Sequence, residues 1–206
     1  MSITLLIVIV TCITSFAAFS NQQLMENMVY YPYKIVRQKE YYRILSGAFV
    51  HADPTHLFVN MLSYYSFGTV IEQYFSYFFH EKGLVLYVIL YFGAVAFAGI
   101  VDFMRHKDNY YYRAVGASGG VAAIIFAAIL FNPLSSVSIF FLLPVPSIIF
   151  GPLYIAYCIY MDKRGGDNIG HMAHLSGAVF GFVFPILLQP GLLARFVKLL
   201  TGNMFG

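Results

Sequence analysis

Apolar residues in this 206-residue chain gather into long, nearly unbroken blocks. They follow neither the alternation of a half-buried strand nor the one-sided stripe of a soluble helix. Six blocks stand out, at about 3–19, 54–75, 83–103, 115–131, 147–160 and 169–188. About 20 apolar residues cross a bilayer core, so the pattern predicts an all-α polytopic membrane protein with six spans, packed as one domain over 1–206. The first block has no Lys or Arg ahead of it and is long for the core of a signal peptide, so it reads as a span. Pro54 suits the first turn of the second span. The stretch Ser20–Asp53 mixes Lys34, Arg37, Lys39 and Arg43 with tyrosines, a composition typical of the membrane interface. Leu134–Pro146 is apolar but too short to cross, and Pro144 and Pro146 oppose a helix. It is expected to be an extended or interfacial connector. Residues 190–206 form a short tail in which Leu192–Leu200 predicts an amphipathic surface helix.

Composition agrees with the blocks. The chain is 60% hydrophobic and 10% charged, with a mean hydropathy of +0.73. Soluble domains carry roughly 25% charged residues, which excludes that class. The net charge of +3 comes without a basic tract, so no nucleic-acid partner is expected. The expected surroundings are the lipid bilayer. Cys12 and Cys158 both lie in apolar runs and read as small buried hydrophobes rather than a disulfide or metal pair.

Two polar residues break the blocks in an informative way. Ser118 lies in Gly116-Ala117-Ser118-Gly119-Gly120 at the start of the fourth block. His174 lies in His171-Met172-Ala173-His174-Leu175-Ser176-Gly177 at the start of the sixth. An ionisable imidazole within a membrane segment is a functional-site signal by default. Six spans place the starts of the second, fourth and sixth on one side of the membrane. His56, Asn60, Ser118 and His174 then share one shallow depth that water can reach. A serine nucleophile needs a base within hydrogen-bond reach. Gly119, Gly177 and Gly181 would let the fourth and sixth helices approach closely. Neither of those spans holds an Asp or Glu, so a Ser–His dyad is expected, with Asp162 and Asp167 as weak orienting partners. His56 and Asn60, four apart, share a helix face that could donate to an oxyanion.

Two other chemistries share parts of this pattern. Gly116-x-Ser118-x-Gly120 matches the nucleophile elbow of soluble α/β-hydrolases, but that motif joins a strand to a helix in a soluble sheet. The histidines 51, 56, 171 and 174 could bind metal, yet no His-Glu-x-x-His helix is present.

The chain resembles the rhomboid intramembrane serine proteases over most of its length. The landmarks are Arg43-x-x-Ser46, His51-x-x-x-x-His56-x-x-x-Asn60-Met61, Gly68-x-x-x-Glu72, Gly116-x-Ser118-Gly119 and His174-x-x-Gly177-x-x-x-Gly181. The resemblance implies a six-transmembrane-helix rhomboid-like bundle that cleaves transmembrane segments of membrane-protein substrates. Ser118 would be the nucleophile and His174 its base. His56, Asn60 and the Ser118 amide would form the oxyanion hole. His51 would be structural, Glu72 would brace the far side, and the loop carrying Arg43 would be partly embedded. No cofactor and no metal is implied. A catalytically inactive rhomboid-like binding or chaperone protein is the alternative. Its motive is two departures: Tyr42 stands where the family often has Trp, and Ala122 where an aromatic often stacks on the histidine. The location implied is a multi-pass protein of the bacterial inner membrane. Nine Lys/Arg flank the catalytic side against three on the other, which by the positive-inside rule would face that side to the cytoplasm. The resemblance implies the reverse orientation, which is the reading followed.

Overall fold

The computed structural model describes residues 2–139, 142–166 and 169–202. In chain order its helices are α1 (Ile3–Ser20), α2 (Gln22–Met28), α3 (Pro32–Gln38), α4 (Arg43–Ser46), α5 (Pro54–Phe79), α6 (Gly83–His106) and α7 (Ser118–Phe131). A hairpin of β1 (Ser136–Ile139) and β2 (Leu143–Pro146) follows, then α8 (Ser147–Arg164), α9 (His171–Leu188) and α10 (Gly191–Thr201). The protein is an all-α membrane bundle apart from that hairpin. Helices long and apolar enough to cross a bilayer lie at Ile3–Ser20, within Pro54–His106 and at His171–Leu188. At 1.5 Å per residue, the 26 residues of α5 and 24 of α6 each exceed the ~30 Å hydrocarbon core.

Polarity is arranged for lipid. Ile13, Phe16, Phe58, Val85, Leu153 and Leu187 are exposed on the outside, while Thr4, Ser15, Arg43, Asn60, Glu72 and Asp102 are buried inside. A soluble protein would reverse much of this. α7 is the central helix. Nearly all of its residues from Gly119 to Phe131 are buried, as a helix apolar on every face requires. Its 14 residues rise only about 21 Å, short of the core thickness. Ser118 stands at its first turn.

Three contacts set the helix directions. The Glu72 carboxylate, near the end of α5, accepts from the Ile3 amide (2.9 Å), the Thr4 amide (2.9 Å) and the Thr4 hydroxyl (2.6 Å). It thus caps the start of α1 and satisfies N–H groups that the helix itself cannot. At the other end, Arg105 of α6 forms a two-pronged pair with Asp162 of α8, at 2.7 and 3.1 Å. On the Glu72 side, Arg195 of α10 donates to the Phe131 carbonyl at the end of α7 (2.6 Å). The starts of α5, α7 and α9 consequently lie at one end of the bundle. Glu72→Ala leaves the two buried Thr4 donors and the half-buried Ile3 amide without this acceptor, a loss of about 1–3 kcal/mol. The thermal midpoint in detergent should fall by several degrees, and less in Glu72→Gln, which keeps one carbonyl oxygen. An unchanged midpoint in Glu72→Ala would refute this role.

Several elements differ from expectation. The connector Leu134–Pro146 is an antiparallel hairpin, pairing Ser136 with Pro146 and Ile139 with Leu143. Bonds from Ser147 N to Ser135 O (2.7 Å) and from Ile148 N to Pro133 O (3.1 Å) close its base. The prolines stop a helix but sit readily in a two-stranded ribbon with a free edge. α8 runs four residues past Tyr160, because Lys163 and Arg164 suit the negative end of a helix. The tail helix is more than a surface feature: Leu192 is buried and Arg195 is tied to α7. Residues 203–206 of that tail lie outside the described residues.

Candidate active site

The approach to Ser118 is built by the polar segment ahead of α5. The buried Arg43 guanidinium donates to the carbonyls of Glu26 (2.8 Å) and Val29 (2.9 Å) and pairs with Glu40. Ser46 donates to the Met28 carbonyl (2.7 Å). The folded segment then grips the loop before α7. Tyr30 and Ala114 exchange both backbone bonds at 3.0 Å, and the Gly116 amide donates to the Gly47 carbonyl at 2.9 Å.

His51 ties this segment to α1 and to the start of α7. The Ser15 hydroxyl gives its one hydrogen to the Phe49 carbonyl (2.9 Å), so it accepts from His51 Nδ1–H (3.0 Å). Nε2 is then free to accept from the Ala117 amide (3.4 Å). Both bonds need a neutral ring. Burial, with the neighbouring His56 ring adding to it, pushes the His51 imidazole down to about 3. An unfolded histidine titrates near ~6.5. Below that value the unfolded chain takes up a proton that the folded chain refuses, so stability falls as pH drops from about 6.5 toward about 3. Thermal midpoints of the wild type should decline over that window. His51→Gln, which has no titrating ring, should flatten the decline; an identical slope would rule out His51 as its source.

Gly116 adopts φ +114°, a left-handed conformation that favours glycine. A Cβ there would stand 2.8 Å from Cε1 and 3.0 Å from Nε2 of His56. The absent side chain is what lets the His56 ring lie against the backbone two residues before Ser118. His56 also meets His51 edge to face, with ring centroids 5.0 Å apart. Asp53 caps α5 by accepting from the His56 amide (2.8 Å). One turn on, buried Asn60 donates to the His56 carbonyl (3.1 Å). An amide NH₂ carries two donors, so this bond uses one of them.

Ser118 opens α7, and Ala117 at the cap supplies no side-chain acceptor. Amides in a first helical turn lack an intrahelical partner, so the helix itself leaves the Ser118 N–H without an acceptor. α9 runs parallel to α7 in backbone contact. A Cβ on Gly177 would lie 2.0 Å from the Gly119 carbonyl oxygen, and one on Gly181 would lie 2.0 Å from that of Ala123. The four-residue step on both helices shows that one face of α9 lies along one face of α7. At the upper end, the Ala173 carbonyl is 3.4 Å from where a Gly119 Cβ would be. The residue before His174 therefore abuts the residue after Ser118. Ser118, His56 and His174 are each half-buried.

Two acids were expected as weak orienting partners. Asp162 is occupied by Arg105, and Asp167 lies outside the described residues. Two residues were not singled out from sequence for the roles they take here. Buried Asp102 of α6 accepts from the Tyr112 hydroxyl (2.6 Å) and lies 3.9 Å from the Cβ position of Gly170, the cap of α9. A carboxylate there suits the positive end of that helix. Its only signal was a lone acid near the end of an apolar block. Cys158 of α8 brings its sulfur beside His171 and His174. Ala122 is buried against Ala178 in a cluster with Phe126, Tyr154 and Phe182. Cys158 of α8 is thus a neighbour of His174, and no aromatic stands one turn after Ser118 on α7.

The family model of the rhomboid domain matches residues 38–191. The chain belongs to the rhomboid family. It is 32% identical over 168 residues to RHOMBOID-like protein 12, mitochondrial, of Arabidopsis thaliana, covering 77% of this chain and 49% of that protein. It is 25% identical over 158 residues to the rhomboid protease GlpG of Haemophilus influenzae, covering 76% and 74%. The chain spans about half the length of the plant relative. This rhomboid is an integral membrane protein, as its apolar helices require. The narrower placement in a bacterial inner membrane gains no support, since the plant relative is named mitochondrial.

Proposed function

We propose that this rhomboid is an intramembrane serine endopeptidase that cleaves transmembrane segments of other membrane proteins with a Ser118–His174 dyad. The observation that supports it most is the seating of the two first turns. Ala173 abuts Gly119, with Gly177 and Gly181 holding the helices together below. In this mechanism His174 takes the Ser118 hydroxyl proton as the oxygen attacks the substrate carbonyl, then returns it to the leaving amine. The Ser118 amide, the remaining Asn60 N–H and His56 donate to the oxyanion as it forms. Water for the second step would reach Ser118 and His174 from the end of the bundle at which both are half-buried. Glu72, Arg43 and His51 act on the frame, and Gly116 makes room for His56.

A fluorophosphonate probe tests this reading directly. An activated Ser118 should be labelled in the wild type, and neither Ser118→Ala nor His174→Ala should label. Absent wild-type labelling would favour the second reading, an inactive rhomboid-like protein that binds membrane-protein clients. Ala122, which leaves no aromatic on α7 to stack on the histidine, is the observation that favours it.

A further inference from the structure

Behind His174, α8 and the start of α9 bring together three soft or borderline donors. Among the described residues, Cys158 Sγ and one ring nitrogen each of His171 and His174 all lie within 4.8 Å of one another. Cys158 and His171 are buried and His174 is half-buried, so His174 is the most exposed of the three. His171 and His174 are three apart on one helix, which keeps both imidazoles on one face. Tyr157 supports the arrangement by packing edge to face on His171, with centroids 5.7 Å apart.

We propose that Cys158, His171 and His174 form a Zn²⁺ site that switches the dyad off. The donor set is one thiolate and two imidazoles, with a fourth position left for water, which suits zinc's tetrahedral preference. Zinc bonds of ~2.3 Å to sulfur and ~2.0–2.1 Å to nitrogen set donor separations of about 3.3–3.6 Å. The three side chains need to close by about 1 Å, within reach of rotation about their own bonds, with two of them in the first turn of α9. On binding, the Cys158 thiol releases its proton to water, and each imidazole offers a lone pair; nothing is oxidised or reduced. The lone pair of His174 is the one the dyad uses to take the Ser118 proton. A bound ion therefore removes the base reversibly, and a chelator restores it. The inhibition rests on the proposed catalytic role of His174; the binding does not.

The test uses the full-length chain in detergent with metal as the probe. Co²⁺ should bind with a thiolate-to-metal charge-transfer band and the strong visible bands of a tetrahedral ion. Zn²⁺ should displace it with one equivalent bound per chain. Cys158→Ala keeps Cys12, so loss of the charge-transfer band would assign the sulfur, and Zn²⁺ affinity should drop by at least tenfold in it and in His171→Ala. Zn²⁺ should block fluorophosphonate labelling of wild-type Ser118, EDTA should restore it, and His171→Ala should label regardless of Zn²⁺. A wild-type spectrum without a thiolate band, or one unchanged in Cys158→Ala, overturns the site whether or not the variants fold well. An unreactive Ser118 beside a clear thiolate–cobalt spectrum would remove the catalytic reading and leave the metal site.

Discussion

Ser118→Ala is expected to lower cleavage of a transmembrane substrate by about a thousandfold or more, with the helical content and thermal midpoint kept. The hydroxyl is half-buried at the first turn of α7, and its loss opens no large cavity. His174→Ala should cost about as much. The double variant should be scarcely worse than either single one, because a nucleophile and its base act as a unit. Additive losses, or cleavage that survives Ser118→Ala, would show that the reaction runs through other groups. Cleavage of a reconstituted substrate, followed by gel shift over time, reads all three variants. Cys158 of α8 lies beside His174, while Ala122 of α7 offers it no aromatic ring.

Gly181→Val should be the most destabilising single change in the bundle. Even a bare Cβ at that site would sit 2.0 Å from the Ala123 carbonyl oxygen and 2.4 Å from its Cα. The opposing atoms are backbone, so no side chain can rotate away, and α9 must move off α7. Overpacking of a tight contact commonly costs 1–3 kcal/mol, and backbone against backbone places this case at about 3 kcal/mol or more. The yield of folded protein in detergent should collapse, and any surviving fraction should lose fluorophosphonate labelling because Ala173 no longer holds its place beside Gly119. Gly191→Val meets nothing within 4 Å and serves as the control. Normal yield and labelling for Gly181→Val would mean that the two helices do not touch there.

Much of this is legible in the chain itself. The six apolar blocks announce helices, since a membrane leaves the backbone few other ways to satisfy its polar groups. The parity of those blocks puts Ser118, His174, His56 and Asn60 at one end, and the contacts of Glu72, Arg105 and Arg195 agree. Gly177 and Gly181 were legible as a close-approach motif because only small residues permit it. The hairpin at 136–146 was half legible: proline ruled out a helix but did not specify pairing. The placements of Asp102 and Cys158 are not legible, for different reasons. A lone acid at a block end resembles an interfacial residue, and a cysteine in an apolar run resembles packing.

What the residues alone determined is the class and the order of the helices, and they nominate a serine and a histidine as a candidate pair. Lipid enforces apolar length on every spanning segment, so those features are written in the pattern itself. What only the tertiary structure decided is rotation. α7 and α8 are apolar or mixed on every side, so their hydrophobic pattern does not record which face turns inward. Packing alone puts Cys158 beside His171 and His174, seats Asp102 at the cap of α9 and lays His56 against Gly116. Such contacts depend on a turn of tens of degrees about a helix axis, to which an apolar helix in an apolar medium is nearly indifferent until its neighbours arrive.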